Sequence, residues 1–146
     1  MLDADGQALK EELHELFRRP VDSPVPDDEF AELAGRVFGY QFGRNAPFAA
    51  FCHHRGRTPE SIIGWLDIPA VPTAAFKEVP LVAGDPATAE ATFRTSGTTR
   101  RRRGTHVILD LSLYHGALVP VFRAYLLPDG LKPAILSLIP PDQDLA

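Results

Sequence analysis

Prolines at 69, 72, 80 and 86 split this chain into two stretches of different texture, and that split limits the architecture more than any other feature. Ahead of them the apolar residues recur at helical spacing. Leu9, Leu13, Leu16 and Phe17 sit among charged residues, so residues 4–18 read as an amphipathic helix, and Pro20 follows it. A second helix carries Phe30, Leu33, Ala34, Val37, Phe38 and Phe42 to near Arg44, with Asp27 or Asp28 as its cap. Thr58, Pro59 and Glu60 follow the N-cap and N1-proline pattern and predict a third helix through Ile62, Ile63 and Trp65. Residues 1–67 therefore form a helical segment.

From Ile68 onward the prolines punctuate short apolar runs, which predict a linker of strand-like or irregular structure. Glu90–Thr95 and Thr105–Leu109 read as strands, and Pro133–Ile139, "PAILSLI", as a buried strand. Between these, Asp110 can cap a helix bearing Leu111, Tyr114, Leu118, Phe122 and Leu126, which Pro120 should kink or break. Strand, loop, strand, helix, strand over residues 68–146 predicts an α/β fold.

The 146 residues are enough for one domain with a hydrophobic core. Cys52 is the single cysteine, so no internal disulfide exists, and the expectation is a soluble, cytoplasmic protein without a membrane span. Met1–Arg19 is charged throughout, unlike a signal peptide, and no apolar run approaches the roughly 20 residues a spanning helix needs. A net charge of −4 argues against a surface devoted to nucleic acid and leaves Arg100 to Arg103 to be judged as a local site.

Those arginines follow "FRTSGTT" at 93–99. A polyphosphate needs converging donors with no bulky side chain in the way. Gly97 lets the backbone approach, the hydroxyls of Thr95, Ser96, Thr98 and Thr99 add donors, and Arg103 can reach back to bond phosphate oxygens bidentately. An ordinary polar turn between strands has the same composition. The P-loop spacing is absent, because no glycine stands five residues before a Gly-Lys-Ser/Thr element.

The "TSGTT" stretch resembles the phosphate loop of the adenylate-forming enzymes. Within that superfamily the chain is most similar to LuxE-type acyl-protein synthetases and phenylacetate-CoA ligases. "IPAVPTAAFKEVPL" at 68–81, "FRTSGTT" at 93–99 and "HVILDLSLY" at 106–114 carry the likeness, in that order, over roughly half the chain. The resemblance implies that residues 68–146 begin the α/β N-terminal domain of an adenylating enzyme. It also implies that a carboxylate attacks the α-phosphorus of Mg-ATP to give an acyl-adenylate and pyrophosphate, with a protein thiol then accepting the acyl group. Thr95, Ser96, Gly97, Thr98 and Thr99 would hold the β- and γ-phosphates, a positioning and electrostatic task. Where the family commonly has glycine after the Thr-Thr pair and lysine three residues later, this chain has Arg100 and Arg103. Lys77 in the "FK" element receives no role.

The family's adenine-site motif, hinge and mobile C-terminal domain have no counterpart before Ala146, so the chain is expected to be the N-terminal portion of such an enzyme, either a truncated product or one half of a split enzyme whose downstream half completes it. The family's acyl-accepting cysteine lies near the far carboxyl end and is not carried onto Cys52, which is expected to be a buried thiol. Adjacent Cys52, His53 and His54 project in divergent directions, and no metal site is expected. A Ser96, His106 and Asp110 triad lacks the Gly-x-Ser-x-Gly elbow and ranks below the ligase reading. Two further classes stand beside it: a non-catalytic interaction domain derived from such an enzyme, and a nucleic-acid-binding module using Arg100 to Arg103.

Overall fold

The computed structural model describes residues 2–95, 103–130, 132–134 and 136. Asp3 opens helix α1 (Ala4–Phe17) by accepting the Gly6 amide at 2.9 Å, which pairs one of the donors that a helix start leaves free. Helix α2 (Asp27–Arg44) starts differently from expectation. Pro26 occupies the cap position, and Asp27, Asp28 and Glu29 lie inside the first turn, where their charge opposes the positive end of the helix dipole. The two helices cross closely at Gly6, where an added Cβ would lie 2.5 Å from the Tyr40 hydroxyl. Arg44 ties the crossing by pairing with Asp3 at 2.6 Å and Asp5 at 3.1 Å while lying 4.2 Å from the centroid of the Tyr40 ring.

The third helix is not where the Thr58-Pro59-Glu60 pattern predicts it. Helix α3 spans Ala46–His54, with Pro47 in its first turn and the Asn45 side chain accepting the Phe48 amide at 3.2 Å. Thr58 to Ser61 instead make a turn. The Ser61 amide bonds the Thr58 carbonyl, and the Ser61 hydroxyl both accepts from the Thr58 amide and donates to the same carbonyl. Such local side-chain bonds compete with helix formation. The Asp67 carboxylate then accepts the Ile63 and Gly64 amides and holds a single 3₁₀ turn at Trp65–Asp67. Ile63, an expected helix-face residue, is fully exposed.

The core lies between α2 and α3. Phe38 (2 % exposed), Phe48 and Cys52 (0 %) form its centre, and Phe42, Phe51, Ile62, Ile68 and Val71 pack around them. Phe38 meets Phe42 and Phe48 edge to face, both at 5.8 Å between centroids, a favoured aromatic geometry. Burial pushes the Cys52 thiol pKa up.

The proline-rich stretch carries only short 3₁₀ turns, at Thr73–Lys77 and Pro86–Thr88. It leads into an antiparallel hairpin of β1 (Ala91–Arg94) and β2 (Thr105–Ile108), paired Ala91↔Ile108 to Arg94↔Thr105. These two strands are the whole sheet among the described residues, so the fold is mixed helix and strand with helix in the majority. Of the expected strand Pro133–Ile139, the described residues Pro133, Ala134 and Leu136 have no regular structure, and Leu136 is 88 % exposed. The rest of that stretch lies outside the described residues.

Helix α4 (Leu111–Leu126) begins as expected at Asp110, whose carboxylate accepts the Ser112 amide at 2.8 Å. It continues through Pro120 without a break. Proline there leaves the Gly116 carbonyl without its usual partner, a cost offset by contacts with α1 and the loop after it. Lys10 pairs with Asp110 at 2.7 Å, the His14 ring contacts the Ser112 hydroxyl at 3.2 Å, and the Tyr125 hydroxyl donates to Asp22 at 2.8 Å. Gly116 makes the approach possible, since a Cβ there would sit 2.8 Å from His14 Nδ1. The helical segment and the later stretch are therefore joined by side-chain bonds from Lys10 to Tyr125.

Candidate phosphate-binding hairpin

The hairpin outlasts its last formal ladder pair by one residue. The Thr95 amide donates to the Gly104 carbonyl at 2.9 Å, and the Gly104 amide donates to Thr95 Oγ1, also at 2.9 Å. Thr95 and Gly104 thus form a closing pair from which residues 96–103 connect the strands.

Of the six residues expected to bind phosphate, Thr95 and Arg103 fall within the described structure, while Ser96, Gly97, Thr98 and Thr99 lie outside it, as do Arg100 to Arg102. Thr95 spends its backbone donor on the ladder, so its contribution to an anion is reduced to the hydroxyl proton. Arg103 is exposed beside the buried Gly104.

Lys77 joins them, although its position in the sequence gave it no role. A Cβ on Gly104 would lie 3.2 Å from Thr95 Oγ1 and 3.5 Å from Lys77 Cγ, so the stem of the exposed Lys77 packs beside the closing pair. Phe76 fixes this placement by stacking on His106 with centroids 4.4 Å apart and planes at 26°. Phe93, directly opposite His106 in register, stacks on Tyr114 of α4 at 5.7 Å. Aromatic pairs on both strands of one sheet face therefore connect the hairpin to the 3₁₀ turn and to α4. The "FK" element was the only signal for Lys77, and nothing along the chain places residue 77 beside residue 104.

The competing arrangements do not converge. Both Asp110 oxygens are engaged, Oδ1 by Ser112 and Oδ2 by Lys10, which together hold its carboxyl at about 2 against an ordinary 3.8. His106 stacks on Phe76, so Asp110 does not orient it as a Ser96–His106–Asp110 triad requires. Cys52 is sealed in the core, whereas His53 packs beside Phe42 with centroids 5.0 Å apart. Among the described residues no three His, Cys, Asp or Glu side chains converge on a metal position, and no helix is long and apolar enough to cross a membrane.

No family model matches the chain, and no curated protein or solved structure matches it significantly.

Proposed function

We propose that the chain is the phosphate-loop portion of an ATP-dependent carboxylate-activating ligase of the acyl-protein synthetase kind. One observation carries the reading: a closed hairpin base at Thr95 and Gly104, with the stem of the exposed Lys77 against it and the exposed Arg103 next to Gly104 in the chain. In this proposal the connection wraps the β- and γ-phosphates of ATP, with the Thr95 hydroxyl and the two cations stabilising charge on departing pyrophosphate. The donor set is cationic and hydroxylic, which suits phosphate oxygens, and magnesium enters bound to the nucleotide. The carboxylate of the acid attacks the α-phosphorus, the bond to the pyrophosphate oxygen breaks, and the acyl-adenylate passes its acyl group to a thiol.

Titration with Mg-ATP tests this directly. Lys77→Ala and Arg103→Ala each remove one charge-assisted contact, worth about 1.5–3 kcal/mol, so each weakens binding by roughly 10- to 100-fold. Gly97→Val should do the same by filling the approach to the backbone. Unchanged nucleotide affinity in all three variants would remove the site.

A second reading, a non-catalytic interaction domain, is favoured by α4. This helix has no buried residue, and Leu118, Val121, Phe122 and Tyr125 are all exposed apolar or aromatic positions. Such a face is what a docking partner covers. Carboxylate-dependent pyrophosphate exchange after supplying a downstream half separates the two, since the interaction domain gives none.

A further inference from the structure

Helix α4 is held from one side only. Towards α1, Gly116 lies against His14, Lys10 pairs with Asp110 at 2.7 Å and the Tyr125 hydroxyl donates to Asp22, so the helix cannot turn its other side inward without breaking these contacts. The outward side carries Tyr114, Leu118, Phe122 and Leu126, spaced four residues apart and hence one continuous ridge. Val119 stands on one flank of it, Val121 and Tyr125 on the other. All seven side chains belong to residues 39–65 % exposed. A residue of this size presents roughly 150–250 Å² when fully bare, so ridge and flanks leave about 700 Å² of mostly apolar surface in water. That exceeds the roughly 300–600 Å² of the largest apolar patch on an ordinary monomer.

Charge and area identify what covers it. Of the sixteen α4 residues only Arg123 carries a full charge, and it lines a cleft with Pro120 and Lys132 on the side of the helix that meets α1. A partner selected by charge therefore finds no handle on the ridge, whereas a second copy meets it without any like-charge pair. The chain's net charge of −4 opposes an anionic membrane. Two copies face to face bury about 1,400 Å² in total, inside the roughly 1,200–2,000 Å² of a specific interface. Ridges of this spacing interdigitate when two helices cross at about −50°, and a two-fold axis midway between Leu118 and Phe122 sets Leu118 beside the partner's Phe122. We infer that the chain self-associates as a two-fold dimer through the α4 ridge. This contact names the partner in the interaction reading of α4, on which it rests, and does not depend on nucleotide binding by the hairpin.

Sedimentation equilibrium of the full chain at about 1–100 µM, in ~0.15 M salt to screen its net charge, should show a reversible step from 16.0 kDa to twice that mass. Leu118→Lys and Phe122→Lys each set a charge against the partner's ridge, twice per dimer, and should weaken association by about 100-fold or more. Both positions are exposed in the single chain, so the circular dichroism of each variant should match the parent. Ile63→Lys, at a fully exposed position off the ridge, should leave association unchanged. In a mixture of labelled and unlabelled unsubstituted chains, isotope-filtered Overhauser contacts between the Leu118 methyls and the Phe122 ring locate the contact without any variant. A chain still monomeric at about 100 µM, association unaltered by both ridge variants, or a dimer lacking those intermolecular contacts would each overturn the inference. A monomer that instead co-sediments with phosphatidylcholine vesicles overturns it in favour of lipid. Pyrophosphate exchange with a downstream half still decides between ligase and interaction domain, so a monomeric chain refutes the dimer and leaves that choice to its own assay.

Discussion

Replacing Asp110 by asparagine should separate a charge effect from a helix cap, because asparagine caps nearly as well and cannot ionise. In the native chain the Asp110 carboxyl is held at about 2, first by the Lys10 ammonium at 2.7 Å and then by Ser112. The difference from 3.8 couples ionisation to folding by up to about 2.5 kcal/mol. Both side chains retain some solvent, 21 % exposed for Lys10 and 22 % for Asp110, and screening reduces this to about 1.5–2 kcal/mol. The sign follows from which state takes the proton first. As pH falls the unfolded carboxyl protonates near 3.8 and the folded one only near 2, so the stabilisation is complete above pH 4 and disappears as pH drops to about 2. Urea unfolding followed by circular dichroism at a series of pH values measures it. Asp110→Asn should be less stable than the parent by about 1.5–2 kcal/mol at pH 7, with the gap closing between about pH 4 and pH 2. Equal stability at pH 7, or a gap that stays constant across that acid range, would refute the reasoning. A cycle with Lys10→Met should show the larger part of that energy as a coupling between the two positions, the remainder belonging to Ser112.

Cys52 is sealed between Phe38 and Phe48 with its thiol pKa raised by burial, so a thiol reagent at neutral pH should modify native protein at least about 100-fold more slowly than urea-unfolded protein. Matching rates would mean that the α2–α3 core opens freely. Gly84 holds φ at +148°, and a Cβ there would fall 2.8 Å from Leu109 Cδ1, so Gly84→Ala should lower stability by about 1–3 kcal/mol in the same urea assay. An unchanged midpoint would show that the turn relaxes around the added methyl.

Much of the helical framework could be read along the chain because its causes are local. The stripe Leu9, Leu13, Leu16 and Phe17 set α1, the run from Phe30 to Phe42 set α2, and Asp110 marked the start of α4. The third helix was misplaced because two competing starts lay thirteen residues apart, Asn45 before Pro47 and Thr58 before Pro59. Their local signals are alike. What separates them is burial: Phe48 and Cys52 from the first segment complete a core with Phe38, whereas Ile63 from the second finds no partner. Tertiary packing overrides propensity in such a contest.

The candidate sites divide in the same way. The strands flanking "TSGTT" and the exposed Arg103 could be anticipated from alternation and charge, since those depend on neighbours in sequence. Thr95's loss of its amide to Gly104 and the placement of the Lys77 stem beside that pair could not. Local preferences were enough to place α1, α2, α4 and the two strands, because those preferences come from dihedral sterics, caps and the spacing of apolar side chains. The choice of α3 over the Thr58 turn and the meeting of distant groups came from packing, because contacts such as Lys10 with Asp110 depend on how α1 and α4 pack, and no periodicity along the chain encodes that distance.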